Sequence, residues 1–445
     1  MVVVSRSAYR SIRAKRLGCK KLRQRDVAHP CSYGEVGEAD PGPFVTSSRE
    51  VQSLWSGVSS FSKLRCVSFA KASAPADDVR KIVRTSRSTD APIPALMERA
   101  LAAATLAPSI NNTQPWIFQA GTQSAQIVLR ADYSRRLHEA DPETRQLIIS
   151  CGAALTNLLA ELHASGIRTT TAFRRPSGRS PDFALVSLAK AGAGSDRDDL
   201  DLADAIPRRF TARSAFGPDP VPVTLLDVMI ESASAGGLEL SPITLERDAF
   251  AALHRRAHRI QERNHALARE TAAWTRHDAS ARDGIVPATF GRDSTVNRDL
   301  HLPQRDFAIN REIPTAQSRE RSGWETLVVL ASAGDGPEDW IRVGRELERL
   351  LLIAAGRGVM ASYLNQCVEV SPLRESLRRT LGLAGVPQLI MRLGFPAGEP
   401  GPLSPRRPLR EVVRIQEQLP RSIVDVFSIS RTKARGEEWV VHVDS

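Results

Sequence analysis

Apolar residues recur at helical spacing in two long stretches of the chain. Leu147, Ile148, Cys151, Leu155, Leu158, Leu159 and Leu162 fall at intervals that predict a helix burying a broad face. Asp141-Pro142-Glu143-Thr144 reads as its start, with proline at the first helical position and an acid in the first turn, and Gly166 as its stop. Leu347, Leu350, Leu351 and Ala354 repeat the pattern after Gly336-Pro337-Glu338-Asp339, with a stop at Gly356 or Gly358. Shorter elements flank each long helix. The first half offers a helix over Pro94 to Leu106 and strands over Gln126 to Ala131 and Phe183 to Leu188. The second offers a helix over Thr224 to Ala235 and strands over Leu238 to Leu245, Trp324 to Ala331 and Pro387 to Gly394. The order helix, strand, strand, long helix, strand occurs twice, which reads as a tandem duplication of one α+β unit.

The halves differ in what they keep. Ala107 to Trp116 reads A-P-S-I-N-N-T-Q-P-W, and its two prolines make it a stiff loop that presents Ser109, Asn112, Thr113 and Gln114. Amide side chains carry donors and acceptors, which suits the edge of a heterocycle, although a helix stop followed by a turn would look the same. The matching place in the second half, A-G-G-L-E-L-S-P, lacks the amides. The second half instead opens with R-F-T-A-R, Arg209 to Arg213, and closes with S-P-R-R-P-L, which carries Arg406 and Arg407. The first half has only the faint echo Arg84-Thr85-Ser86. Guanidinium forks with a hydroxyl suit a phosphate; surface charge is the plainer reading. Complementary loss predicts a pseudo-dimer with one composite site between the halves. Between its early strands the second half also carries an insertion, with a charged helix over about Ala249 to Arg276 and a loop-like stretch from Asp283 to Gln317. Such a stretch is a lid or disorder.

Charge changes this picture little. The chain has 445 residues and a net charge of +11, but residues 1–34 hold nine basic groups and one acid. The remainder is near neutral, so nucleic acid is not an expected partner of the folded part. Residues 1–90 lack sustained periodicity and read as a basic, disordered N-terminal extension, with an organellar transit peptide or an upstream start as alternatives. Residues 91–200 form the first half, 201–415 the second with a lid-like insertion at about 280–320, and 416–445 a C-terminal extension. No uninterrupted apolar run reaches the ~18 residues of a membrane span, so no membrane partner is expected. The five cysteines, Cys19, Cys31, Cys66, Cys151 and Cys367, are widely spaced, which points to a reducing, cytoplasmic setting with Cys151 and Cys367 in the core. His254 and His258 lie four apart among arginines without H-E-x-x-H, so a solvated helix face is preferred to zinc and no metal is expected. No nucleophile, P-loop or dinucleotide fingerprint stands out. This fits a protein whose cofactor carries the chemistry.

The ordered set A-P-S-x-x-N-x-Q-P-W, R-x-T-x-R, A-A-G-R-G-V-M-A-S-Y-L-N-Q, L-G-x-x-G-V-P-Q-L-I-M-R-L-G-F-P and R-R-P-L resembles the FMN-dependent nitroreductase superfamily. The tandem form resembles its Acg-type branch, over about residues 90–415. The resemblance implies a nitroreductase-like α+β fold with two half-domains packed as a pseudo-dimer, monomeric or homodimeric. It implies that Arg209, Thr211, Arg213, Arg406 and Arg407 hold the FMN phosphate and uracil edge. Pro108, Ser109 and Asn112 would come from the other half, with Gln114 supporting the loop. Leu364, Asn365 and Gln366 match the segment whose backbone lies by the flavin N5. The chain departs from the pattern there, with Asn365-Gln366 in place of Glu-Gly, and at Asn111, where the Acg-type loop has histidine. The implied activity is NAD(P)H-dependent reduction of a small-molecule electron acceptor, a nitro compound or quinone, by ping-pong flavin chemistry. The alternative is a protein that stores or sequesters FMN beneath its lid.

Overall fold

The computed structural model describes residues 76–84, 87, 91–174, 181–190, 196–213, 216–278, 280–290, 302–303, 326–397, 403–428 and 441–443. The first half comprises α1 (Ala76–Arg84), α2 (Ile93–Thr105), β1 (Trp116–Gly121), β2 (Gln126–Ala131), α3 (Arg145–Ala164), β3 (Ile167–Phe173) and β4 (Asp182–Lys190). The second begins with α4 (Arg197–Ala205), α5 (Val223–Ala235) and β5 (Leu238–Pro242), followed by α6 (Arg247–Glu262) and α7 (His265–Ala273) of the insertion. It continues with β6 (Thr326–Ser332), α8 (Pro337–Gly356), β7 (Met360–Tyr363), α9 (Gln366–Glu369), α10 (Ser371–Thr380) and β8 (Val386–Gly394). The chain closes with α11 (Leu409–Val412), β9 (Val413–Gln416), α12 (Arg421–Ser428) and β10 (Val441–Val443).

The two long helices cross at the centre. α3 and α8 have 20 residues each, and each carries a glycine at its eighth position, Gly152 and Gly344. A Cβ on Gly152 would lie 2.6 Å from the Ile341 carbonyl oxygen, and one on Gly344 would overlap that of Ile149. Each glycine thus meets the residue three before the other, a reciprocal contact of the kind a two-fold axis imposes. Gly166 and Gly358, at φ of +73° and +78°, follow the two helices. α3 starts at Arg145, three residues later than its proline suggests, because Thr144 is left-handed at φ +60°. The Asp141 carboxylate still caps the helix, accepting from the N–H groups of Gln146 and Leu147 at 3.0 and 2.8 Å. α3 is long and apolar enough to cross a membrane by composition, although no uninterrupted apolar run announces it, and most of it is buried inside the protein.

Each long helix is followed by a strand that the apolar pattern does not reveal. β3 is I-R-T-T-T-A-F and β7 only M-A-S-Y, too polar or too short to stand out. With them in place the sheets share one order. The second sheet runs β5-β6-β8-β7, and the first contains the matching run β1-β2-β4-β3. The first sheet gains two further strands from the C-terminal end of the chain. β9 pairs in parallel with β1, Phe118 opposite Val413, and β10 pairs antiparallel with β3, Val441 opposite Ala172. Gln416 and Val441–Val443, within the stretch expected to be an extension, therefore belong to the first half's sheet. Ile423, Val424 and Phe427 of α12 pack on Val128, Leu185 and Leu419.

Two more expectations change. α1 lies within the stretch read as aperiodic, and its Val79, Arg80 and Val83 are buried; residues 1–75 lie outside the described residues. The single charged helix expected in the insertion is two, because Asn264 accepts from the N–H groups of Ala266 and Leu267 and starts α7. α6 enters the second core through Phe250, Ala251 and Ala257, beside Leu327, Val329, Leu364 and Ile390. Most of the expected lid, 291–301 and 304–325, lies outside the described residues. Cys151 and Cys367 are buried and free.

Candidate functional site: a loop of the first half gripped by the second

The proline-rich loop leaves the C-terminus of α2 and turns sharply. Asn111, Asn112 and Gln114 have φ of +46°, +53° and +49°. Left-handed backbone is unfavourable for residues with a Cβ, less so for Asn, and three such residues within four require outside support. Ser109 Oγ accepts from the Gln114 N–H at 3.0 Å, and Ser150 Oγ of α3 accepts from the Ile110 N–H at 3.2 Å. The Cys151 thiol donates to the Pro115 carbonyl at 3.1 Å.

The second half supplies the rest. Arg406 donates from Nε to the Thr105 carbonyl at 2.7 Å and from Nη2 to those of Leu106 and Ala107 at 2.9 and 3.1 Å. It thereby covers the negative end of α2. Its Nη1 reaches Asn112 Oδ1 at 3.2 Å. The Arg407 N–H donates to Gln114 Oε1 at 2.8 Å. Arg209 donates from Nη2 to the Leu106 carbonyl at 3.0 Å, and its Nε lies 3.3 Å from Glu348 Oε1 in α8. Thr211 bridges to β7, where the Ala212 N–H donates to the Ala361 carbonyl at 2.8 Å. The motifs that the sequence divides between the halves therefore meet.

Their side chains do different work from that expected. The Asn112 amide donates to the carbonyls of Gly284 and Pro405 at 3.0 and 3.1 Å, and the Gln114 amide to that of Arg282 at 2.9 Å. Asn112, Gln114, Arg209 and Arg406 are buried, whereas Pro108, Ser109, Thr211, Arg213 and Arg407 are half-buried. Leu364 is buried and its N–H is bonded to the Ile390 carbonyl at 2.9 Å, so that group is not a donor to a ring. Asn365 Oδ1 accepts from the Ile390 N–H at 3.0 Å, and Gln366 donates to the Pro303 carbonyl at 3.1 Å.

The electrostatics concentrate positive charge here. Arg406 is desolvated and feels the like charges of Arg80, Arg209 and Arg213, all of which push its pKa down, opposed by Glu348. Burial lowers Arg213 to about 10, against the pull of Tyr363. Burial pushes Glu348 up to about 7, opposed by Arg209, Asn157 and Arg406. The guanidiniums of Arg80, Arg209, Arg213 and Arg406 act on one another around the Glu348 carboxyl, an arrangement of forked cationic donors that suits an anion. Asn111 adds a buried Nδ2 with no hydrogen-bond partner among the described residues. This donor set fits the phosphate of a flavin mononucleotide. Sequence reasoning missed Arg80, though Val79, Ile82 and Val83 have helical spacing. It also missed Glu348, which looks like an interruption of an apolar run.

His254 does not lie on the solvated helix face expected of it: it is buried, with its Nε2 2.8 Å from the Pro303 carbonyl, and burial drops its pKa to about 4. Among the described residues no three His, Cys, Asp or Glu side chains cluster as a metal site. A separate cleft of about 970 Å³ lies between α3, α4, α5 and α8, and none of the residues expected to hold the cofactor lines it.

No protein-family model matches the chain. The chain is similar to a Mycobacterium tuberculosis protein named "Putative NAD(P)H nitroreductase Rv3131", at 29% identity over 72% of this chain and 92% of that one. It is also similar to "Putative NAD(P)H nitroreductase acg" of the same organism, at 25% identity over 72% of this chain and 96% of the other. Among solved structures it overlaps that of the FMN-dependent nitroreductase NfnB from Mycobacterium smegmatis in complex with NADPH. That match has 17% identity and a TM-score of 0.31, over 48% of this chain and 99% of that one.

Proposed function

We propose that this chain is an FMN-binding, NAD(P)H-dependent oxidoreductase of nitroreductase type, with one cofactor site where its halves meet. The observation that carries this reading is the arginine cluster closed over the left-handed loop. In it, Arg209, Thr211 and Arg213 take the phosphate with Arg80 behind them, while half-buried Pro108 and Ser109 and the Asn111 amide face the flavin. Asn112, Gln114, Arg406 and Arg407 hold the loop. Leu364, Asn365 and Gln366 shape the edge beyond β7. Bound there, FMN would accept a hydride from reduced nicotinamide and reduce a small-molecule acceptor such as a nitro compound or quinone. The likeness to proteins named NAD(P)H nitroreductases over most of the chain supports this. The halves supply each other's interface, so the site requires no second copy.

A second reading is FMN sequestration, favoured by the contact between the insertion and the loop, Gly284 N–H to the Asn112 carbonyl at 3.1 Å. Anaerobic mixing of the FMN-loaded protein with NADPH and with NADH separates the two. The oxidoreductase reading expects the oxidised flavin band to bleach with at least one donor. An unbleached band with both, in protein that retains its flavin, contradicts it and leaves sequestration.

A further inference from the structure

The insertion does more than lie beside the loop. Chain from Trp274 to Ile285 closes on itself: the Ile285 N–H donates to the Trp274 carbonyl at 2.8 Å and the Arg276 N–H to that of Ile285 at 2.7 Å. Gly284 is left-handed at φ +73°, and a Cβ there would lie 2.5 Å from the Trp274 carbonyl oxygen. From this closed turn three groups reach the loop. Gly284 exchanges hydrogen bonds with Asn112 in both directions, N–H to carbonyl at 3.1 Å and carbonyl from Nδ2 at 3.0 Å. The Arg282 carbonyl accepts from Gln114 at 2.9 Å. Asp283 binds Arg135, whose Nε in turn donates to the Thr113 carbonyl. Arg276 Nε holds the other side of the same carboxylate at 3.0 Å. Both guanidiniums stack over Trp274, at 5.2 and 5.3 Å from the ring centroid. Burial raises the Asp283 pKa, but the two arginines outweigh it and keep the carboxyl ionised below its ordinary range.

We propose that Asp283 is a positioning residue, the centre of a clasp in which Arg135, Arg276 and Trp274 fasten the insertion to the cofactor loop and hold Asn111, Asn112 and Gln114 left-handed. The clasp attaches to the carbonyls and amides of the loop's outer side, while Arg406 grips the start of the loop where it leaves α2. A loop held at both places stays preorganised before ligand arrives, and preorganisation appears as affinity. The consequence for the cofactor rests on the FMN reading above; the effect on the loop does not.

Two readouts keep these apart. Hydrogen exchange of residues 107–116 in flavin-free protein reports the loop, and FMN titration followed by fluorescence reports the consequence. Asp283→Asn should speed exchange in 107–116 about tenfold or more with the global melting transition retained, and weaken FMN about tenfold. Asp283→Glu, which keeps the carboxylate, should recover part of both. Asp278→Asn, on the same turn but with its carboxylate on the N–H and hydroxyl of Ser280, should change neither. Should Asp283→Asn fail to fold, Arg276→Gln removes one arm and carries the same readouts. Unchanged exchange at 107–116 overturns the clasp, and faster exchange with unchanged FMN affinity overturns its positioning role. Faster exchange in a protein whose wild type takes no FMN upholds the clasp and overturns the FMN reading instead.

Discussion

Glu348 sets the charge balance of the arginine cluster, and its protonation is a measurable lever. Its carboxyl is raised from 4.5 to about 7, so the folded state holds the proton more tightly than the unfolded one. The stability it contributes is present below the unfolded value and declines as pH rises toward 7. Ionisation also cancels one guanidinium and so reduces the pull on a phosphate. Glu348→Gln removes that titration. The ratio of wild-type to variant FMN Kd should therefore grow roughly three- to tenfold from about pH 6 to about pH 8, read by fluorescence titration. A constant ratio contradicts the placement of Glu348 beside the phosphate. In sequence Glu348 is one acid in an apolar run, and nothing local distinguishes it from a solvated charge. Arg209 is legible as part of a motif, but its partner across the halves is not. Asn112 illustrates the same limit: its residue type marks it as important, while its three partners come from Gly284, Pro405 and Arg406, far away in the chain.

Elements were readable where a single period governs them. α3 and α8 show themselves through leucine spacing, and β8 through the apolar cluster of Leu389, Ile390, Met391 and Leu393. β3 and β7 hide because Thr-rich alternation or four residues give no contrast with a loop, and the start of α3 moves because a left-handed backbone at Thr144 overrides a proline signal. The helix crossing is not visible as a pattern, since single glycines inside helices look like weak points. The structure gives them a reason: the backbones of α3 and α8 touch at Gly152 and Gly344. Gly344→Ala should destabilise the protein by about 1–3 kcal/mol through overpacking, measured by chemical denaturation. Gly356→Ala, at the end of the same helix with nothing within 4 Å of its Cβ, should be neutral or slightly stabilising. Equal effects at the two positions would contradict the close crossing.

At the scale of the whole molecule, the sequence repeat appears as two sheets of one strand order joined by a reciprocal helix pair. What the repeat alone does not convey is that the end of the second half completes the sheet of the first, β9 beside β1. The same end brings Arg406 and Arg407 to the loop. The asymmetry of the halves follows from it: the loop survives where the arginines reach it, and Gly236 and Gly237 stand at the matching end of α5 with no such loop. These features support the proposal that the chain is a pseudo-dimer with a single site. The direct measurement is the amount of flavin released on denaturing the fully loaded, desalted protein, set against chain concentration. The account predicts one FMN per chain; two per chain, or none retained after loading, would contradict it.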